Sequence, residues 1–241
     1  MAESILYKKL MKIKEKMLNE CTVCNHKGEI ELKTCKCMEK FKFYTQMAYS
    51  GIEKEYWDLE LNDWHGETKI KDVIKNYLLK IDKIIEEGIS FGFSGFTGTG
   101  KTFLACLFLK EALRKNYKVY KITLEKFLNM IKEGFDNPDK LTDLDKIETV
   151  DIFLLDEIGG EYTPANFGVF CSAKCDDLFR TRKSNMLSTI ITTNLEKAEF
   201  QKLYGSKIES ITNAYIWNAV SGPDYRQVQL NRMKEDLLNE L

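Results

Sequence analysis

The chain lacks most of the features that announce a specialised class of protein. Only three prolines fall in its 241 residues, and no repeat or low-complexity segment is present, which excludes a repeat array or a proline-rich linker. No apolar stretch approaches the roughly 20 residues that span a bilayer. The lysine-studded N-terminus also has no continuous apolar core of the kind a secretory signal needs. The expected location is cytoplasmic, with no membrane partner. An excess of charge of one sign is missing too: 36 basic and 37 acidic side chains leave a formal net charge of -1. No global basic field points to nucleic acid, so any DNA contact must be a local patch. Seven cysteines are present, but a reducing cytoplasm excludes a disulfide framework as their purpose.

The length suits one full α/β core with a smaller appendage. From Ala2 to about Glu20, Ile5, Leu6, Leu10, Met11, Ile13, Met17 and Leu18 recur at three-to-four spacing between lysines, the pattern of an amphipathic helix. The stretch from Cys21 to about Tyr49 has too little aliphatic content for a core of its own. Lys69 to Glu87 reads as one helix, stopped by Gly88. Strands are expected at Ile89–Ser94, Lys118–Ile122, Val150–Leu155, Ser188–Thr193 and Tyr215–Val220, alternating with helices from Gly100 to about Lys115, Leu124 to Lys132 and about Ala165 to Arg182. That alternation predicts a mostly parallel five-stranded sheet covered on both faces. The closing stretch, Gln227–Leu241, carries Leu230, Met233, Leu237 and Leu241 at helical spacing, which suggests a terminal helix for packing or self-association.

Gly95, Phe96, Thr97, Gly98, Thr99, Gly100, Lys101 and Thr102 follow an expected strand and open an expected helix at Phe103, which is the Walker A pattern in its proper context. Glycines let such a loop fold back so that its amides surround phosphate, and the helix N-terminus adds its positive dipole end. Lys101 should reach the outer phosphates and the Thr102 hydroxyl should ligate Mg²⁺. The apolar run Ile152 to Leu155 delivers Asp156 and Glu157 at a strand's C-terminal end, where parallel sheets bind ligands. Asp156 would hold Mg²⁺, and Glu157 would polarise the attacking water. Asn194 ends the next strand beside the same sheet edge.

Taken in order, the stretches around Gly95–Ala105, Leu154–Gly159, Ile190–Leu195, Tyr204–Ile208 and Gly222–Arg226 resemble the DnaC/DnaI/IstB branch of the AAA+ ATPases. The resemblance runs from about Cys21 to Arg226 and implies an AAA+ P-loop NTPase fold, ATP as nucleotide, and a sensor-1 role for Asn194. It also implies a helicase loader, which places a hexameric replicative DNA helicase on single-stranded DNA. Two alternatives stand beside the loader: an IstB-like transposition helper, and an ATP-binding adaptor with little turnover.

Cys21, Cys24, Cys35 and Cys37 form two close pairs across a short hairpin, a spacing that can close tetrahedrally on Zn²⁺; His26 could replace one sulfur. The division expected is 1–50, an N-terminal helix and zinc module, and 51–241, the ATPase domain. By resemblance the first part docks the helicase, with packing on the ATPase domain as the plain alternative for the helix. Cys106, Cys171 and Cys175 read as small core or near-surface residues, and Trp64 as ordinary core packing, with packing near the adenine as the alternative. Arg180, Arg182 and Lys183, with Lys174, form the densest basic cluster, which serves equally as a DNA track or a solvated helix end. The family's arginine finger falls on Ile211 here and its preceding arginine on Lys207, so Lys207 and Arg182 are the candidates to act across a subunit interface. The activity expected is a Mg²⁺-dependent ATPase that is weak on its own.

Overall fold

The structure, a computed structural model, describes residues 2–136, 142–159 and 165–226, and these fall into two units, Met1–Asp58 and Leu59–Leu241. In the first, α1 (Ala2–Asn19) and α2 (Lys36–Tyr49) pack together. Leu10 of α1 and Phe41, Tyr44 and Met47 of α2 are buried, as their helical spacing requires. Between the helices lies a minimal antiparallel hairpin, β1 (Glu29–Ile30) and β2 (Lys33–Thr34). Gly28 precedes it with φ +80, and a Cβ there would meet Met38 Cγ at 2.9 Å and Leu18 Cδ2 at 3.3 Å, so glycine lets the cysteine loop sit against both helices. Trp57 closes the unit: its Nε1 donates to Ile52 O at 2.8 Å and its ring lies 5.0 Å from that of Tyr44.

The second unit runs α3 (Thr68–Leu79), α4 (Ile81–Glu86), β3 (Phe91–Ser94), α5 (Lys101–Arg114), β4 (Val119–Thr123), α6 (Leu124–Asp136), α7 (Thr142–Thr149), β5 (Ile152–Asp156), α8 (Ala165–Ser184), β6 (Ser188–Thr193), α9 (Lys197–Thr212) and β7 (Ile216–Ala219). The five strands lie in the order β4-β5-β6-β3-β7, and every pair is parallel. β3, β5 and β6 are buried at every position, and β5, apolar from Ile152 to Leu155, is the one of the three that reads as a continuous apolar run. On one face Phe91 and Phe93 pack against Phe108 of α5. On the other, Phe153, Leu155 and Ile191 join Leu124, Phe127 and Leu128 of α6 and Phe179 of α8.

The structure departs from the expected elements at several places: α2 and α7 carried no expected helix, and two further differences lie at Lys80 and at residues 197–212. The helix expected over 69–87 breaks at Lys80, whose φ of -109 and ψ of 22 end α3. Ile81, Ile84 and Ile85 remain buried in α4, so the apolar rhythm survives the break. Residues 197–212, which carried no expected element, form α9, kinked at Gly205 (φ 82, ψ 174). The terminal helix expected over 227–241 lies outside the described residues. Among the described residues, no helix is long and apolar enough to cross a membrane.

Candidate nucleotide site and cysteine cluster

The loop between β3 and α5 turns through three left-handed glycines, Gly95 (φ 143), Gly98 (φ 81) and Gly100 (φ 92). A Cβ on Gly98 would lie 2.1 Å from Asp224 Oδ1, and one on Gly100 would lie 2.6 Å from Trp64 Cζ3, so neither position has room for a side chain. The Thr99 hydroxyl, buried, donates to Phe96 O at 2.8 Å and latches the loop from within. Phe96 itself points to solvent, 83% exposed, and Thr97 is also exposed. The Lys101 ammonium donates to Gly95 O at 2.9 Å, Phe96 O at 2.8 Å and Asn194 Oδ1 at 2.8 Å. Burial pulls its pKa down to about 8, the nearby Asp156 opposes that shift, and the charge of Arg226 adds to it.

Asp156 is buried at the end of β5 and its two oxygens have separate partners. Oδ1 accepts from Thr102 Oγ1 at 2.9 Å and from Thr192 Oγ1. Oδ2 lies 3.0 Å from the Lys121 ammonium. Glu157 is exposed and held at φ 60, a conformation uncommon for a residue with a side chain. Its amide donates to Thr192 Oγ1 at 2.9 Å. The structure therefore brings Lys101, Thr102, Asp156, Glu157 and Asn194 together at the C-terminal edge of the sheet, as the sequence led us to expect.

Three features of this site went unread in the sequence, and a fourth, the packing of Trp64, was expected there without its partners. Thr192 bridges Asp156 and Glu157, and Lys121 reaches Asp156 from β4. Tyr225 N donates to Gly98 O at 3.0 Å, so the segment ending in Arg226 lies on the loop. Trp64, 5% exposed, stacks on Phe103 with ring centroids 6.0 Å apart and planes 4° from parallel, and lies 5.6 Å from Tyr225. The Tyr225 hydroxyl is buried beside them without a hydrogen-bond partner among the described residues. An inward lysine in the strand Val119–Thr123 was the one available sign of Lys121, because strand alternation places it with Val119.

Arg182 is the clear correction. It is 0% exposed and donates to Thr189 Oγ1 at 3.0 Å, Ile147 O at 2.6 Å, Val150 O at 3.0 Å and Ser188 O at 2.6 Å. Its guanidinium also lies over the Phe153 ring at 5.4 Å. A side chain spent on the ends of two strands and a helix reaches neither DNA nor a neighbouring subunit. Ile211 is likewise a core residue, 2% exposed. Lys207 is exposed and lines a groove between α8 and α9 with Lys174 and Arg180. Arg180 pairs with Asp176 at 2.9 Å. Cys106, Cys171 and Cys175 are buried and form no disulfide, as expected of core cysteines.

In the first unit the Sγ atoms of Cys21, Cys24, Cys35 and Cys37 all lie within 4.8 Å of one another. Cys21 and Cys35 are 3.8 Å apart, and Cys24 and Cys37 are 3.7 Å apart. A tetrahedron with zinc–sulfur bonds of about 2.3 Å has its sulfurs about 3.8 Å apart, so the donor set fits zinc in both chemistry and size. The backbone amide and thiol of Cys24 draw the Cys21 thiol below its ordinary pKa, while burial and the neighbouring thiols push that of Cys37 up. His26 is not in the cluster; its Nδ1 donates to Leu18 O at 2.8 Å.

A family model described as IstB-like ATP binding protein matches residues 30–218. The chain belongs to the IstB-like ATP-binding protein family. This IstB-like chain is similar to the replicative helicase loader DnaC of Buchnera aphidicola subsp. Baizongia pistaciae (strain Bp), at 26% identity over 169 residues, 67% of the chain and 66% of the relative. It is also similar to the replicative helicase loader DnaC of Escherichia coli (strain K12), at 30% identity over 139 residues, 55% of each chain. In both cases the aligned stretch is less than two thirds of the relative's length. A solved structure of the DnaC helicase loader superposes with a TM-score of 0.61 at 22% identity, over 70% of this chain and 100% of that one. The fold is therefore the AAA+ P-loop architecture expected from the sequence.

Proposed function

We propose that the chain is an ATP-dependent helicase loader, which binds a hexameric replicative DNA helicase and helps place it on single-stranded DNA. The observation that carries this is the convergence of Lys101, Thr102, Asp156, Glu157 and Asn194 at one sheet edge, in a chain similar to DnaC loaders. The loop from Gly95 to Thr102, with Phe103 behind it, binds the phosphates of ATP. Lys101 moves its three hydrogen bonds from loop carbonyls and Asn194 toward the phosphate oxygens, regaining in charge pairing what burial costs it. Asn194, on the same ammonium, orients the terminal phosphate. The hydroxyl of Thr102 and the carboxylate of Asp156 are hard oxygen donors 2.9 Å apart and suit Mg²⁺, which when bound supplies positive charge to the phosphate oxygens. Glu157, exposed and held at a fixed φ, polarises the attacking water.

Cys21, Cys24, Cys35 and Cys37 hold zinc in this reading, and the metal folds a module too small to support a core of its own. The first unit docks the helicase and the second is the ATPase domain, with the division near Asp58 rather than at the residue 50 expected from the sequence. The test is co-purification of the full chain with a replicative helicase, with and without ATP. Capture of the helicase in an ATP-dependent manner is expected. A second reading, a transposition helper, is favoured by the family description over residues 30–218. Capture of a transposase in place of a helicase would select it.

A further inference from the structure

The side chains of Lys121 and Asp156 are 2% and 4% exposed, and their charged atoms lie 3.0 Å apart. β4 and β5 are in parallel register with Lys121 opposite Leu154 and Thr123 opposite Asp156. Lys121 and Asp156 therefore stand on the same face of the sheet, two positions apart, and the four-carbon stem of lysine spans that offset. A buried ion pair of this kind is weak support for stability, since apolar residues of similar volume often do as well. Its place is informative: the carboxylate it engages is the one that Thr102 and Thr192 hold through the other oxygen.

We infer that Lys121 is a positioning residue for the magnesium site. It restrains Oδ2 of Asp156 so that Oδ1 faces Thr102, and its ammonium offsets the carboxylate charge when no divalent ion is present. This inference rests on the nucleotide reading of the site. Two effects follow from the charge. Without magnesium, Lys121 screens the phosphates from a bare carboxylate and so supports metal-free nucleotide binding. With magnesium, the same ammonium repels the ion and weakens the pull of Asp156 on it. The ratio of nucleotide affinity with Mg²⁺ to that without is therefore kept low by Lys121.

The experiment is titration of the full chain with ADP in saturating Mg²⁺ and in EDTA, for wild type, Lys121→Met and Lys121→Gln. The ratio should rise at least about tenfold in both variants, chiefly through weaker binding in EDTA. A residue that only fills space would weaken both conditions by the same factor. An unchanged ratio in folded variants thus overturns the inference alone. Should the methionine variant not fold, glutamine still donates to Oδ2 without charge and carries the same expectation. On the unmodified chain, tight binding of Mn²⁺ in the absence of nucleotide, followed by electron paramagnetic resonance, also overturns it. Failure of wild type to bind ADP in either buffer overturns the nucleotide reading and the inference together.

Discussion

The ammonium of Lys101 lies 2.8 Å from Oδ1 of Asn194, joining the first turn of the P-loop helix to the end of β6. The bond spans the strand that carries the glycine-rich loop and the strand beside it, so in the proposed function the two residues would meet one phosphate from two sides. Lys101→Ala should cost nucleotide affinity about 100-fold, because two or more charge-assisted hydrogen bonds to phosphate are lost together. Asn194→Ala should leave affinity nearly intact and slow turnover about 100-fold, as removal of one preorganised donor does. Fluorescent-nucleotide titration and a phosphate-release assay separate these outcomes. Unchanged affinity in Lys101→Ala would end the phosphate assignment.

Glu157→Gln should bind ATP as wild type does and hydrolyse it about 10²- to 10⁴-fold more slowly, the range for loss of a positioned general base. The fold should hold, since the contact that fixes this position is the Glu157 amide to Thr192 Oγ1, which the substitution leaves in place. Normal turnover in this variant would move the base to another residue.

Arg182→Ala should destabilise the chain without touching the site. Three backbone carbonyls, of Ile147, Val150 and Ser188, would lose a charged donor in the core. At about 1 to 3 kcal/mol for each buried acceptor left unpaired, the loss is at least about 3 kcal/mol. For a domain of this size that lowers Tm by at least about 6 °C. A wild-type melting curve combined with lower ATPase activity would restore Arg182 to the interface.

Zinc should be present at one equivalent per chain after purification with zinc supplied, and Cys37→Ser should lower it. A strong chelator should remove the helical signal of residues 2–49 while ADP binding survives, because the P-loop lies in the other unit. Elemental analysis that finds no zinc would refute the cluster as a metal site.

What could be read in advance followed from how local each signal is. The P-loop and Asp156 were legible because strand, glycine-rich loop and helix are contiguous, and because β5 is apolar at every position before its carboxylate. The four cysteines were legible from spacing alone. Arg182 was not, since Arg180 to Lys183 looks like a solvated basic run. A helix turns about 100° per residue, so Arg182 points inward while its basic neighbours do not. The break at Lys80 was hidden for a related reason: Ile81, Ile84 and Ile85 keep the apolar rhythm across it. The partnership of Lys121 with Asp156 depends on the pairing of β4 with β5, a register that one chain's pattern does not reveal.

The position expected to carry the arginine finger is Ile211, which sits 2% exposed among Phe179, Ile208 and Tyr215 in the core. An arginine placed there would have to leave the core, so Ile211→Arg should destabilise the chain before it could restore a finger. With Arg182 buried as well, Lys207 is what remains of the two cations proposed from the sequence, exposed on the α8–α9 groove beside Gly205. An arginine finger is worth about 10³- to 10⁵-fold in related P-loop systems, and a lysine lacks the planar fork that makes two parallel bonds to phosphate. The isolated chain should therefore hydrolyse ATP slowly. If Lys207 acts across an interface, specific activity should rise with protein concentration, and Lys207→Ala should abolish that rise while leaving the dilute rate and ADP affinity unchanged. ATPase assays over a wide concentration range read both quantities. Fast turnover independent of concentration and indifferent to Lys207→Ala would mean that this chain completes its own site and needs no neighbour.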